Sequence, residues 1–414
     1  MSVIRPFRGL RPRPEQVAMV ASPPYDVLSS NEARELVRNN PVSFLRINKP
    51  EVDFDPDTPV HSKKVYDRGK ENLQRLVDDG ILCRDDKSSL YLYRLTWQGL
   101  SQTGLVALAS TEEYNQGKIK KHEHTRPDKV RDRAAHIRHV NAQVGPVFSI
   151  FRHNDLIRQL FVAITGDKPV YDFVDDGQVR HELWVVSDDQ MIADMVAAFA
   201  GLDALYIADG HHRSAAAAEV ARLMKEENPN HDGTEPYNFF LNVIFPDDEL
   251  RILPYNRVVK GLSDKSVEQV LAEFKESFAV EPQKSSIEPQ EGYHFGAFCR
   301  GKWYELTARE GSFNTDHPAE SIDSAVLTAN LLRPTLGIED IRTDKRIDFV
   351  GGIRGVGELE RLVNSGDFDI AFSLYPVTVE QLLAVADAGE VMPPKSTWFE
   401  PKLRSGMVIN LLDK

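Results

Sequence analysis

Two adjacent histidines and an arginine form the most chemically suggestive group in the chain. Residues 209–214 read DGHHRS, and four alanines, Ala215 to Ala218, follow them. Because histidine and arginine are costly to bury unpaired and alanine favours helix, the pattern predicts a charged site on the first turn of a helix. A helix N-terminus attracts anions such as phosphate, and Arg213 can bind a phosphate through two parallel hydrogen bonds.

The residue types in this segment indicate separate roles. Asp209 ends the preceding predicted strand, so it is a candidate magnesium ligand or a residue that orients a histidine. His211 and His212 are candidate catalytic donors beside Arg213. The alternative is a helix cap with surface-exposed charges, although capping does not require two histidines in tandem.

A second segment, residues 117–139, carries eight Lys or Arg, three acidic residues and four of the twelve histidines. Glu123 is the one carboxylate in the run KHEHTR and is a candidate general base for a hydroxyl. Arg126, Lys129 and Arg133 have helical spacing, which predicts a shared face that binds a polyanion. The alternative is a solvated charged face. The remaining candidates here are His122, His124 and Thr125, and no third ligand for a metal on the two histidines is evident from spacing.

Two further stretches are candidate substrate contacts. In SPPYDVLS, residues 22–29, two prolines stiffen a turn from which Tyr25 and Asp26 protrude. In STWFEPKLRSG, residues 396–406, Trp398 and Lys402 belong to a segment that forms either a lid over the site or a strap packed on the core.

Composition narrows the function classes. The 414 residues carry a formal net charge of −13, which argues against a nucleic-acid partner. The two cysteines are far apart and predict reduced thiols, and no apolar run approaches the roughly 20 residues needed to span a membrane. We therefore expect a cytoplasmic protein. The phosphate-binding pattern GxxxxGK[ST] and the pattern GxGxxG after a strand are both absent from the sequence.

Strand and helix patterns alternate along the chain and predict an α/β or mixed α+β fold. SSLYLYRLTW and TGLVALASTEEY read as a hairpin, ALYIAD as a strand, and the segment from Pro127 and the segment after Gly210 as helices. The pattern changes near residue 260. We predict a phosphate- or nucleotide-binding catalytic region over residues 1–260 and a C-terminal α/β region over residues 261–414, whose tail closes over the site.

Four motifs in this order resemble those of the family called domain of unknown function 1015: PPYDV, KKHEHTRPDKVRDR, YIADGHHRSAAA and STWFEPKLRSG. The DGHHR segment also resembles, more distantly, the phosphate-contacting motif of ParB-type nucleotide hydrolases and free-serine kinases. This resemblance implies a nucleotide-binding core of that type with N-terminal and C-terminal elaborations. It also implies that Gly210, His211, His212 and Arg213 contact phosphate. No basic helix-turn-helix is recognisable, which favours small-molecule chemistry over DNA partitioning.

These observations together predict a phosphotransferase that uses ATP or ADP with Mg²⁺ and phosphorylates a small hydroxylated metabolite, with free L-serine giving O-phosphoserine as the leading hypothesis. Glu123 or Asp209 acts as base and the other lies near the metal. The alternatives are a phosphatase acting on phosphoserine or another small phosphoester, and a non-enzymatic nucleotide-binding regulatory protein. A homodimer is left open. The predicted nucleotide-binding residues are Gly210, Arg213, Ser214, Arg126, Lys129 and Arg133. The predicted substrate-binding residues are Tyr25, Asp26, His122, His124, Thr125, Trp398 and Lys402.

Overall fold

Strands and helices alternate along the chain and confirm the predicted mixed α+β class. The computed structural model describes residues 2–262 and 265–413. The strands are β1 (Ile4–Arg5), β2 (Leu10–Pro12), β3 (Leu82–Arg84), β4 (Leu90–Trp97), β5 (Leu100–Ser110), β6 (Ile119–Lys120), β7 (Ala142–Gln143), β8 (Val147–Phe151), β9 (Tyr171–Val174), β10 (Arg180–Val186), β11 (Leu205–Asp209), β12 (Phe239–Pro246), β13 (Ile252–Leu253), β14 (Tyr255–Val259), β15 (Phe278–Gln283), β16 (His294–Cys299), β17 (Lys302–Ala308), β18 (Ile347–Gly351), β19 (Ile370–Leu374), β20 (Trp398–Phe399) and β21 (Asn410–Leu411). The helices are α1 (Val17–Val20), α2 (Ser30–Val37), α3 (Leu45–Asn48), α4 (Lys63–Asp78), α5 (Thr111–Asn115), α6 (Pro127–Val140), α7 (Asp155–Thr165), α8 (Asp189–Ala200), α9 (His211–Glu227), α10 (Val267–Phe274), α11 (Asp323–Leu327), α12 (Gly355–Asn364) and α13 (Val379–Asp387).

Packing divides the described chain into two compact units. The first contains residues 2–121, 125–250 and 401–413, and the second contains residues 122–124, 251–262 and 265–400. The predicted division into residues 1–260 and 261–414 stays a prediction. The packed units differ from it at the tail, because the final residues add to strands of the first unit.

A nine-stranded mixed sheet forms the centre of the first unit. Its strands follow the order β6-β11-β8-β12-β5-β4-β10-β9, and β1 also pairs with β5. Strands β4 and β5 form the predicted hairpin, which closes at the pair Trp97 and Leu100. Strand β8 is buried along its whole length and pairs with β11 on one side and β12 on the other. Strand β11 is therefore held near one edge of the sheet, and its last residue, Asp209, marks the start of the site.

The alanines of helix α9 are packing residues. Ala217 and Ala218 belong to the core cluster built on the large sheet, whereas Ala216 belongs to a second cluster with residues of helix α6. A small side chain allows the backbone of α9 to approach the sheet and α6 closely. The alanine run thus fixes the first turn of α9, which carries the histidines and Arg213, between two packed surfaces.

The second unit contains a six-stranded antiparallel sheet in the order β15-β17-β16-β19-β14-β18. The predicted hairpin of YHFGAFCR and KWYELTA is confirmed as β16 and β17. Apolar side chains of β14, β16 and β19, including Val259, Phe295 and Phe372, pack with those of α10 and α11 in one core. No helix in the described part of the chain has the length and apolar character needed to cross a bilayer.

The C-terminal tail is joined to the first unit by backbone hydrogen bonds. Ile409 and Leu10 exchange N–H···O bonds at 2.8 and 3.0 Å, and β21 pairs with β7. Ser22 and Ser405 exchange a second pair of bonds. These bonds fix the position of the tail residues that precede them, among which is Lys402.

Candidate functional site

The site begins at the turn between strand β11 and helix α9. Gly210 has φ 96°, a left-handed conformation that favours glycine, and a Cβ there would lie 3.1 Å from the guanidinium of Arg213. The first bond inside the helix runs from the Ser214 N–H to the Gly210 carbonyl at 2.9 Å. The turn therefore directs the N-terminus of a 17-residue helix, with its partial positive charge, toward the end of β11.

Asp209 lies between two cations. Its Oδ2 is 2.9 Å from Lys402 Nζ, and its Oδ1 is 3.2 Å from Arg213 Nη2. Burial by itself raises the pKa of Asp209, but the positive charges of Lys402 and Arg213 outweigh it and hold this pKa well below its ordinary value. Asp209 is therefore a carboxylate at neutral pH.

Arg213 connects this carboxylate to the N-terminal segment. Its Nη1 donates to the Pro146 carbonyl, and its Nη2 lies 3.4 Å from Asp26 Oδ2 as well as beside Asp209. The side chain of Arg213 is 11% exposed, whereas that of Asp26 is 39% exposed. Two carboxylates thus flank one buried guanidinium. The Asp26 side chain is 39% exposed and that of Asp209 is 29% exposed, so Asp26 is the more accessible of the two to a ligand.

Tyr25 and Arg133 extend the cluster. The guanidinium of Arg133 lies 4.4 Å from the centroid of the Tyr25 ring and pairs with Asp132 at 2.5 Å. Asp132 also accepts a hydrogen bond from the Tyr66 hydroxyl at 2.6 Å. Burial raises the pKa of Tyr25, so that its hydroxyl stays protonated. Sequence reasoning missed Asp132, because nothing in its local pattern distinguishes it from the other charges of the segment.

A small cavity lies behind Arg213. It measures about 30 Å³ and is lined by Tyr25, Asn48, Arg133, His136, Arg213 and Phe240, among others. The volume suffices for one or two water molecules and not for a phosphate group. Asn48 had no distinguishing feature in the sequence.

The two histidines of DGHHR differ in their surroundings. His211 is 3% exposed, whereas His212 is half-buried. The Nε2 of His212 accepts a hydrogen bond from the backbone N–H of Arg126 at 3.1 Å. An accepting Nε2 is unprotonated, so the proton of a neutral His212 lies on Nδ1. This bond brings the first turn of α9 and the segment that begins α6 together.

The other predicted residues of the first unit differ in exposure, and their predicted roles stay predictions. Arg126 is exposed and pairs with Asp128 at 2.9 Å, and Lys129 is also exposed. Thr125 is half-buried. Ser214 is fully buried, and its hydroxyl donates to the His211 carbonyl at 3.0 Å, within the first turn of the helix.

A family model described as "Protein of unknown function (DUF1015)" matches residues 4–328, more than half of the chain. The chain belongs to the DUF1015 family. The matched region includes three of the four motifs that resemble the family, and the tail motif lies beyond it. No curated protein matches the chain.

Solved structures resemble this DUF1015 protein at low sequence identity. A free serine kinase in complex with AMP is 14% identical, with a TM-score of 0.36, over 71% of this chain and 86% of that chain. A conserved hypothetical protein from Pyrococcus furiosus is 16% identical, with a TM-score of 0.34, over 72% and 92% of the two chains. A C-terminally truncated SbnI from Staphylococcus aureus is 11% identical, with a TM-score of 0.37, over 72% and 84%.

The remaining predicted residues of the DUF1015 protein belong to the second unit. The His122 carbonyl accepts the Met392 N–H at 2.9 Å, and Trp398 Nε1 donates to Glu400 at 2.8 Å. Glu123 is half-buried and His124 is exposed. The predicted roles of His122, Glu123, His124 and Trp398 stay predictions.

The side chains available as metal ligands limit how a metal ion would bind. Among the described residues, no group of three or more His, Cys, Asp or Glu side chains could hold a metal ion. Mg²⁺ commonly takes only one or two carboxylates and completes its coordination with water and substrate phosphates. Asp209, ionised and 29% exposed in its side chain, fits a magnesium–nucleotide complex and not an all-protein cage.

Proposed function

We propose that this DUF1015 protein is a phosphotransferase that moves a phosphoryl group between ATP or ADP and the hydroxyl of a small metabolite. One observation carries the proposal. An ionised carboxylate, Asp209, is held by Lys402 and Arg213 at the N-terminus of helix α9. Phosphoryl transfer depends chiefly on positioned positive charge around the phosphate, and this group supplies it from three sources.

Each charge has a proposed role. Arg213 and Lys402 bind phosphate oxygens, and the helix N-terminus adds its partial positive charge on the same side. Asp209 contributes the carboxylate that a magnesium–nucleotide complex requires, and Mg²⁺ when bound neutralises charge on the phosphates. Because Lys402 and Arg213 keep the pKa of Asp209 low, Asp209 is a poor proton acceptor, which argues against its role as base.

We assign the proton acceptor for the attacking hydroxyl to Asp26. Its side chain is the more exposed carboxylate beside Arg213, at 3.4 Å, so a substrate hydroxyl can reach it while its phosphate donor contacts Arg213. Tyr25, stacked on Arg133, holds the short helix that carries Asp26. Glu123 is the alternative base that the sequence predicts, and that role stays a prediction.

Free L-serine is the acceptor to test first, because the DGHHR segment resembles the phosphate-contacting segment of free-serine kinases. The experiment incubates the purified protein with serine, Mg²⁺ and either ATP or ADP, and measures O-phosphoserine by mass spectrometry. Phosphate released from O-phosphoserine without nucleotide would select a phosphatase instead. Nucleotide binding with no turnover of either kind would select a regulatory protein.

Two tail variants make the assay specific to the site. Lys402→Met removes the cation beside Asp209, whereas Arg404→Met removes a cation of equal side-chain exposure, 17%, that pairs with Asp175 instead. The proposal predicts that Lys402→Met abolishes product formation and that Arg404→Met retains it. Equal activity in both variants would contradict the proposed role of Lys402.

A further inference from the structure

The second unit buries an arginine in its sheet. Arg257 lies in the middle of strand β14, and its side chain is completely buried, with 0% exposure. Strand β14 is flanked by β18 and β19, and Arg257 stands opposite Phe349 and Phe372 in these neighbours. A charged side chain therefore occupies a position that the pattern of the sheet assigns to an apolar one.

The guanidinium of Arg257 has few acceptors. Its Nη1 donates to the Tyr255 carbonyl at 2.6 Å, and its Nη2 lies 3.5 Å from the Pro394 carbonyl, at the long limit of a hydrogen bond. Its Nε is buried without a hydrogen-bond partner. Among the described residues, no Asp or Glu oxygen lies within ion-pair distance of this guanidinium.

Arg346, in the same unit, shows the contrast. Its guanidinium forms an ion pair with Asp344 at 2.7 Å and also donates to the Leu336 and Gly337 carbonyls. All three of its nitrogens therefore have acceptors, as in a structural arginine. Arg257 has an incomplete set of acceptors, although it is more deeply buried than Arg346.

Aromatic rings and a second cation surround Arg257. Its guanidinium lies 4.7 Å from the centroid of the Phe349 ring and 5.9 Å from that of Tyr255. Lys395 Nζ lies 5.8 Å from the same Tyr255 ring. Lys395 follows Pro394 and has φ 58°, a left-handed conformation that costs energy for a residue with a side chain. Two positive charges thus lie near the Tyr255 ring, and one of them is carried by a residue with a strained backbone.

An uncompensated buried charge is destabilising, and this one persists at neutral pH. Burial lowers the pKa of Arg257 to about 9, which leaves the guanidinium protonated at pH 7. Cation–π contacts offset only part of the cost of taking a charge out of water. An anion that pairs with the guanidinium would remove that cost.

We propose that the second unit binds an oxyanion, a carboxylate or a phosphate group, at Arg257. The planar guanidinium presents Nε and Nη donors in the fork that matches two oxygens of such a group. The segment that carries Pro394 and Lys395 covers this fork and moves aside when the ligand enters. This site does not depend on the proposed phosphotransferase activity.

The test measures binding by isothermal titration calorimetry with sodium acetate and, separately, inorganic phosphate, against sodium chloride at equal ionic strength. Three full-length variants are compared with the wild type: Arg257→Met, Arg257→Lys and Arg213→Met. The proposal predicts that Arg257→Met loses one binding event that Arg213→Met keeps, and that Arg257→Lys weakens it at least about tenfold because lysine lacks the fork. Acetate and phosphate distinguish a carboxylate from a phosphate ligand.

A stability measurement separates this site from a purely structural arginine. Without added oxyanion, Arg257→Met should be at least as stable to heat as the wild type, because it removes an unpaired buried charge. Binding of acetate or phosphate should raise the melting temperature of the wild type by about 3 °C or more and that of Arg257→Met by less. Equal binding by wild type and Arg257→Met, or a less stable Arg257→Met without oxyanion, would overturn the proposal.

Discussion

Lys402 Nζ lies 2.9 Å from Asp209 Oδ2, although the two residues are 193 positions apart in the chain. The pairing exists because the tail is hydrogen-bonded to the first unit at Leu10, Ser22 and β7. The tail therefore completes the charge cluster at the end of β11 and does more than cover it.

Removal of Lys402 should lower stability at neutral pH and make stability less dependent on acid pH. The folded pKa of Asp209 is depressed, so this residue contributes stability above its unfolded pKa of 3.8, and the contribution is lost as the pH falls below that value. Lys402→Met should lower the free energy of unfolding at pH 7 by about 1–3 kcal/mol, less than for a fully buried pair. It should also flatten the decline in stability between about pH 5 and pH 2, measured by urea denaturation. An unchanged acid profile would show that the ion pair does not form in solution.

The planar set of guanidinium donors on Arg213 should contribute more to nucleotide affinity than its positive charge alone. Arg213→Lys keeps the positive charge but cannot reach the Pro146 carbonyl, Asp26 and Asp209 at once. We expect magnesium–ADP affinity to fall at least about tenfold, or about 1.4 kcal/mol. The matched control is Arg222→Lys, which alters an exposed arginine of the same helix that pairs with Glu219 and should leave affinity within about twofold. Equal losses in both variants would show a general charge effect.

Gly210 combines a left-handed backbone with close contact to Arg213. Gly210→Ala should lose about 1–3 kcal/mol of stability from the strained φ, and its Cβ should displace the guanidinium 3.1 Å away. Gly233 has a similar φ, 88°, but no atom lies within 4 Å of the position that a Cβ would take there. Gly233→Ala should therefore lose similar stability in thermal denaturation while it keeps ADP binding. If Gly210→Ala still binds ADP as tightly as the wild type, Arg213 does not contribute to the phosphate site.

His136 should make the protein sensitive to mild acid. It is buried, and burial lowers its pKa from 6.5 to about 4, while its Nε2 contacts the Ile47 carbonyl at 2.8 Å. The neutral form is favoured in the folded state, so stability is complete above pH 6.5 and declines as the pH falls toward 4. The decline should approach about 3 kcal/mol over this range. His136→Gln should lose less unfolding free energy than the wild type between pH 7 and pH 5, measured by urea titration. An equally steep decline in the variant would show that other groups cause the acid sensitivity.

Local patterns predicted much of the fold. The β4–β5 hairpin and helix α9 arise from residues close in sequence, so periodicity and turn residues suffice to locate them. The same holds for Asp209 and Arg213, one helical turn apart on either side of Gly210. Both residues lie next to the predicted start of a helix, and local sequence is enough to locate that start.

Long-range pairing could not be predicted in this way. The sequence of the tail is compatible with either a lid or a strap. Only tertiary contacts place Lys402 beside Asp209 and Trp398 against Tyr255. Asp132 and Asn48 join the first unit's cluster through packing of distant helices, and their local sequence is ordinary. Arg257 was missed because a single arginine in a strand gives no indication that its partners are absent.

The central claim is that Asp209, Arg213 and Lys402 form a phosphate site, and a crystal structure of the wild-type protein with ADP and Mg²⁺ tests it most directly. We predict phosphate oxygens within hydrogen-bond distance of Arg213 and Lys402, on the solvent side of Asp209. Phosphates bound elsewhere, with the Lys402–Asp209 pair unchanged and facing water, would contradict the claim.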